Sequence, residues 1–364
     1  MKESQKIAEE IGEKYINVTY DLVIAKVTMQ IQATKKPAYD SIFIHLGAFH
    51  IMFAYFKALG KFIAGCGLMN IAIDPGLLAS GLVNSFLEGK HFNRCKRLHP
   101  LMALGLEIMH FRSFLNKTNK VIGEDLRSEL MHFGDGLLSF SDLIGNHEIS
   151  ELIESYMKYR EACVNGDFGK TAQYYMMYIL FINYNLTLSR SVRTGDFSLY
   201  KYIMPQITNL FFAFNQPNYA RWLVKYHNNL VNVGAINPEI MEELEKGYFG
   251  IQRTEKSFSR QPIDLTLEQT INAEAKRLVG IINFTNSISA RQRWCLSHQI
   301  RSTIFSYTYE TTGLRKRQDE TADLENHGIK KDTEQLRKFI NGFSKFVNPF
   351  DSDLDEKQLF NISN

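Results

Sequence analysis

Two short runs near the N-terminus decide how this chain is read: YINVTYD (Tyr15–Asp21) and SIFIHLGAFH (Ser41–His50). The first is rich in Ile, Val and Tyr and stops at a carboxylate, Asp21. The second carries Ile42, Phe43 and Ile44 without a polar break and stops at Gly47, Phe49 and His50. Between them Leu22 to Gln32 has helical spacing, with Val23, Val27 and Ile31 on one face. The pattern predicts two buried parallel strands joined by a crossover helix. Ligating and reacting side chains collect where such strands stop and helices begin. Asp21 and His50 are therefore expected side by side on one rim.

The remainder reads as helix. Ile51 to Ala64 is almost wholly apolar, and helices are expected at about 150–164, 167–193 and 196–214. The region 77–115 alternates helix and Gly turns, and 116–150 reads as a polar surface connection. Asn215-Gln-Pro-Asn218 is a break. Residues 250–263 look extended, and Asp264 or Thr266 can cap a following helix that carries Glu268, Ile271, Ala275 and Leu278.

Bulk properties narrow the classes. With 364 residues there is room for a sheet unit and a helical one. The 26 Phe and 17 Tyr call for a bulky core. A net charge of +3 does not by itself indicate nucleic acid, so only local clusters can. The four cysteines are scattered without a CxxC pair, the pattern of a reduced, intracellular protein. The N-terminus is charged and helical, unlike a signal peptide. YYMMYILFI (Tyr174–Ile182) is too short to span a bilayer and reads as a buried helix. Walker, GxGxxG, GxSxG and HExxH motifs do not occur.

Basic clusters are candidate nucleic-acid contacts. Arg94 and Arg97, with Lys96 between them, lie in HFNRCKRLH (His91–His99), and the two arginines share a helical face that could clamp phosphates. Arg291, Arg293, Trp294 and Arg301 form a second patch, in which Arg and Trp could stack on an unpaired base. The first patch also reads as a solvated helix face, and Trp294 of the second as core. Arg315-Lys-Arg317 is too short to serve as a nuclear address.

LGAFHIMFAYFKALGKFIAGCG, GKHFNRCKRLH, SRSVRTGDFSLY, FFAFNQPNYARWLVKY, PIDLTLEQTINAEAKR and TNSISARQRW follow one another across about residues 15–310. Together they resemble a multi-copy, transposon-associated family of uncharacterised animal and fungal proteins with a conserved domain of unknown function. The Asp21 and Gly47–His50 pairing is similar to the middle of an RNase H-like transposase core. The resemblance implies an α/β remnant, a short parallel sheet near the N-terminus, with a large, predominantly α-helical body. Its parts would be a partial RNase H-like unit at 1–75, a helical insertion at 76–250, a return helix with the third acid at 251–310, and a charged, partly disordered tail at 311–364.

By that analogy Asp21 and Glu268 are the expected metal ligands and catalytic acids, and His50 a catalytic positioning residue. Mg²⁺ is the expected cofactor wherever the acidic site is intact, since hard cations take carboxylate oxygens and activate phosphoryl transfer. DNA is the expected partner, without membrane, and the nucleus the expected compartment. The stretch before Asp21 has no strands to carry the first acid of such a core, so the centre is expected to be incomplete and the protein catalytically weak. Other roles remain open for each residue. Taken one at a time, Asp21 reads more readily as a helix N-cap, His50 as a packed histidine, and Glu268 as first-turn charge on a helix. The alternative function is a non-enzymatic helical protein that binds protein or DNA.

Overall fold

The computed structural model describes residues 1–276, 280–312, 326–343 and 348–351. In chain order it opens with α1 (Lys2–Glu10), β1 (Ile16–Tyr20), α2 (Leu22–Thr34), β2 (Ile42–Leu46) and α3 (Ala48–Ile63). There follow α4 (Leu68–Ile73), α5 (Val83–Leu87), α6 (Phe92–Thr118), α7 (Glu124–Gly134), α8 (Phe140–Gly145), α9 (His147–Asn165) and α10 (Lys170–Thr194). Next are α11 (Phe197–Ala213), α12 (Pro217–Ile236), α13 (Pro238–Glu245), β3 (Gly250–Gln252), β4 (Arg260–Pro262), α14 (Ile263–Gln269) and α15 (Ile271–Ala275). The last elements are α16 (Ile281–Phe284), α17 (Ile288–Leu296), α18 (His298–Thr311) and α19 (Asn326–Phe343). This is a predominantly helical body with a short parallel sheet near the N-terminus, as the apolar runs predict.

The chain divides into two units, one of Met1–Ala58 with Tyr184–Gly328 and one of Leu59–Asn183 with Ile329–Asn364. In the first unit β1 and β2 pair in parallel from Ile16↔Ile42 to Tyr20↔Leu46. Gly47 N–H donates to Tyr20 O (2.9 Å), which carries the ladder one step past β2. All of β2 is buried, whereas β1 is only half-buried, so the expectation of two fully covered strands holds for one of them.

The crossover helix presents a different face from the one expected. Val23 and Val27 are exposed, and Leu22, Ala25, Thr28 and Met29 are buried. The helical period is right but its phase is rotated. Thr28 can go inside because its hydroxyl donates to Ala25 O (2.9 Å), so no unpaired donor is buried with it.

β3 and β4 form a short antiparallel hairpin, and Arg260 pins it. Gly195 and Gly247, at φ +73° and +85°, follow the ends of α10 and α13. Left-handed glycines close helix C-termini in this way. A Cβ on Gly195 would lie 3.0 Å from Arg260 Nη1, and one on Gly247 would lie 2.9 Å from Nε. Arg260 Nη2 also donates to Lys246 O (2.9 Å). A cation is thus lodged where two helix dipoles are negative. The fixed β4 leads directly into α14. The expected single helix after residue 264 is two, α14 and α15, separated at Thr270 (φ −110°, ψ −95°). Leu278 lies outside the described residues.

In the second unit α6 runs unbroken through Pro100, where alternating helix and turns were expected. Residues expected to form a surface connection contain α7 and α8, held by a small cluster of Leu126, Leu143 and Ile149. Tyr175, Met176, Tyr178, Ile179 and Ile182 of α10 are buried, in agreement with a core helix. No helix among the described residues is long and apolar enough to cross a membrane. Phe339 and Phe343 of α19 are buried, so part of the expected charged tail has an apolar, packed face. Arg315-Lys-Arg317 lies outside the described residues, as do 313–325, 344–347 and 352–364.

Candidate functional site

The rim at the ends of β1 and β2 is where side chains from distant segments meet. Helix α3 begins one residue after Gly47, and glycine has no side chain with which to cap it. The cap arrives from elsewhere in the chain. Asp264, in the first turn of α14, accepts from Phe49 N–H at Oδ1 (3.1 Å) and from His50 N–H at Oδ2 (3.0 Å). These are two of the otherwise unpaired donors of a helix N-terminus, and a carboxylate there also meets the positive end of the helix dipole. A Cβ built on Gly47 would lie 2.1 Å from Asp264 Oδ2. Only glycine leaves room for the carboxylate.

The same Oδ2 bonds His50 Nδ1 at 2.9 Å. Since the oxygen already accepts from a backbone N–H, Nδ1 is the donor in this bond, and Nε2 is left as the basic nitrogen. The His50 side chain is 29% exposed, against 6% for Asp264. The Asp264 hydrogen bond raises the His50 pKa above 6.5; burial opposes this, and the charges of Asp264, Asp21 and Glu268 add to it. The imidazolium is thus favoured by the carboxylates around it.

Asp21 stands at the end of β1 and caps α2, accepting from Ile24 N–H at 2.9 Å. It also lines a cleft of about 260 Å³ together with Val23, His50, Gln216, Asn218 and Tyr219. Tyr219 starts α12 and packs on Phe211 at 5.2 Å between ring centroids. Its phenol is pushed up by burial and by the charges of Asp264 and Asp21. The expected adjacency of Asp21 and His50 is therefore found.

Glu268 is within electrostatic reach of His50, but its oxygens accept from Asn272 Nδ2 and Lys276 Nζ, both at 3.0 Å. Burial would raise its pKa; the hydrogen bonds from Lys276 and Asn272 outweigh that and bring it down. Asp21 accepts from one backbone N–H, Glu268 from two side chains and Asp264 from three donors. Among the described residues no group of three His, Cys, Asp or Glu side chains could hold a metal ion. Asp21 and Glu268, the acids expected to hold Mg²⁺, are not part of such a group.

The basic candidates have internal contacts of their own. Arg97 donates to Asp332 through Nε (2.9 Å) and Nη2 and to Gln335 Oε1 (2.8 Å), which ties α6 to α19. Arg94 is half-buried, with Nη1 lacking a hydrogen-bond partner among the described residues, and Lys96 is exposed. Arg291 donates to Thr285 O (2.9 Å) and Asn286 Oδ1 (3.0 Å), and Arg293 is exposed. The Trp294 ring is covered by Arg301, 3.9 Å from its centroid.

A family model, Domain of unknown function (DUF8702), matches residues 1–364. The chain belongs to that family. Neither a curated protein nor a solved structure matches it. For this DUF8702 chain, then, the site rests on its own geometry, and Asp264 is the residue that sequence reasoning placed in the wrong role. Its sequence position suits a cap for its own helix, a role it shares there with Thr266, and in the structure it caps α3 instead. The signal was Gly47, a helix start without a side chain, which needs a partner supplied from outside.

Proposed function

We propose that this chain is a transposon-derived, RNase H-like protein related to the DDE/D-type transposases, descended from enzymes of metal-dependent phosphoryl transfer on DNA and now catalytically incomplete. The observation that carries the reading is the meeting of His50 and Asp264, 214 residues apart, on one strand-end rim. Strand and Asp21, strand and His50, a helical stretch, then a returning acid is the order of such a core. The residues themselves do less than an intact centre would. Asp264 orients the His50 ring, and Nε2 can take or give a proton at the cleft.

The test is a mobility shift of the full chain on short DNA duplexes with free 3′ ends, run with a cleavage assay in Mg²⁺ or Mn²⁺. A salt-sensitive shift without nicking is expected. Absence of any shift overturns the reading. Metal-dependent nicking that disappears in Asp21→Asn overturns the incomplete centre and restores an active one.

A second reading, a non-enzymatic helical interaction protein, has its own observation. Ile300, Ile304 and Tyr307 of α18 are 66%, 58% and 69% exposed on one helical stripe, beside an 83% exposed Leu296. The stripe is almost uncharged and suits a second copy of itself. Sedimentation of the wild type and of Ile300→Glu/Ile304→Glu tests it: a concentration-dependent dimer lost in the variant supports this reading, and a monomer in both rejects it.

A further inference from the structure

The strand-end cleft has two kinds of wall, and their chemistry restricts what can enter. Its apolar side is Val23 and Pro217 with the ring of Tyr219, which is held in place by Phe211. Its polar side is Asp21, His50, Gln216 and Asn218. Asp264 and Glu268 act on His50 from nearby, so the field in the cleft is acidic. A phosphate group is repelled by such a field, and the helix N-terminus that would otherwise attract it is already filled by Asp264.

What fits instead is an uncharged planar group with hydrogen-bond donors on its edge. Two side-chain amides and a carboxylate can pair such an edge, since amides offer a donor and an acceptor together and a carboxylate accepts from amino and imino groups. Asp21 gives one oxygen to Ile24 N–H, and Gln216 Nε2 has no hydrogen-bond partner among the described residues. Proline and aromatic surfaces suit the flat face of a ring.

We propose that this cleft takes an unpaired nucleobase, held on its hydrogen-bonding edge by Asp21 and Asn218 and on its face by Pro217 and Tyr219. The inference rests on the reading of the rim as the working edge of a DNA-handling fold, and it names what that edge holds: the base of a strand end. A base with an exocyclic amino group is preferred to thymine, because a carboxylate only accepts and thymine's one edge donor, N3–H, is flanked by two carbonyl oxygens that repel it. An unpaired base is easily extruded, which makes frayed or single-stranded ends the natural source.

The experiment uses the full chain and fluorescence anisotropy on duplexes ending in one unpaired dA, dC, dG or dT, against the same duplex ending in an abasic residue. Deoxynucleosides are added as competitors. Amino-bearing ends are expected to bind about tenfold more tightly than the abasic end, the worth of one well-paired base edge. Asp21→Asn and Asn218→Ala should each remove that preference, read within each variant as the ratio of its affinity for amino-bearing ends to its affinity for the abasic end. Asn is as good an N-cap as Asp, so Asp21→Asn retains the α2 start. If abasic and natural ends bind equally, the base pocket is wrong and the DNA reading stands. If no duplex binds but deoxyadenosine or deoxycytidine does, shown by line broadening of its proton resonances that Asn218→Ala abolishes, the pocket stands and the DNA reading falls. Binding of neither overturns both.

Discussion

Four histidines of this chain live in two opposite environments, five residues apart in the first instance. His50 at the rim of the first unit is bonded to Asp264 and held toward its charged form. His45, inside β2, is fully buried and bonds Tyr226 Oη at 2.8 Å. Burial pushes its pKa down to about 3. The second unit repeats the interior arrangement. His99 pairs with Tyr178 (2.8 Å) and His110 with Tyr156 (2.9 Å), and burial takes both to about 3. Tyr156 donates to Glu107 Oε1 (2.7 Å), so His110 Nδ1–H must be the donor to Tyr156. A carboxylate partner and partial exposure give a proton-exchanging histidine. A phenol partner and burial give a neutral one.

The largest expected effect comes from acid. The three interior histidines have folded pKa values near 3 and an ordinary value of 6.5 when unfolded. The unfolded chain therefore binds their protons first. Their stability contribution is complete above 6.5 and is lost as pH falls toward 3. His50 has the opposite sign: its contribution is whole below 6.5 and is lost as pH rises through its raised value. Urea unfolding midpoints across this range should fall steeply on the acid side, and His110→Gln should flatten the slope. A stability that stays level down to about 3 would sink the distinction between the two environments.

Next in size is Gly47→Ala. The new methyl would sit 2.1 Å from Asp264 Oδ2, so the carboxylate has to leave and all three of its hydrogen bonds go with it. A loss of about 3 kcal/mol is expected, within the class of buried polar groups deprived of partners. Gly81→Ala, which has nothing within 4 Å, is the control. Equal stability of the two variants would show that Asp264 is not clamped at the rim.

How far this could be read from the residues alone depends on the range of each interaction. Apolar runs ending in Asp21 and Gly47 announce a parallel pair, because burial of β2 and the strand-to-helix switch are local signals. Helix α10 is equally legible, for its apolar window sits inside a helical reading of 167–193 and is too short to span a bilayer. The phase of α2 is not, because Val23 and Val27 have the same spacing as the buried set and only tertiary packing chooses between them. The region 77–115 reads as alternating helix and Gly turns, yet α6 runs unbroken from Phe92 to Thr118, through Pro100. Asp264 escapes because its partners lie 214 and 215 residues away, and nothing in the local run distinguishes a cap for its own helix from a cap for another. Glu268 was chosen for order and type, and the carboxylate that reaches the rim is four positions earlier.

Asp264→Asn sharpens the rim itself. The amide oxygen can accept from one backbone N–H, but the amide nitrogen cannot accept from the other or from His50 Nδ1–H. A buried donor is left unpaired, at a cost of about 2 kcal/mol in unfolding free energy. The His50 titration, followed by proton NMR of its ring, should move down toward the ordinary value. A His50 midpoint that does not move would mean that Asp21 and Glu268, not Asp264, govern its charge.

The smallest effect separates the two roles of Asp21. As the N-cap of α2 it accepts from Ile24 N–H, and removal by Asp21→Ala should cost about 1 kcal/mol. Asp21→Asn keeps an oxygen for that bond and so should keep nearly all of the stability. It removes the charge that acts on His50, which should lower the His50 midpoint by less than Asp264→Asn does, because Asp264 adds a direct hydrogen bond and Asp21 acts through its charge alone. A residue that is only a cap would show the loss in Ala, none in Asn, and an unchanged His50 in both. A residue that belongs to the rim shows a shifted His50 in Asn even where the fold is intact, since the charge reaches the imidazole across the cleft and the cap does not.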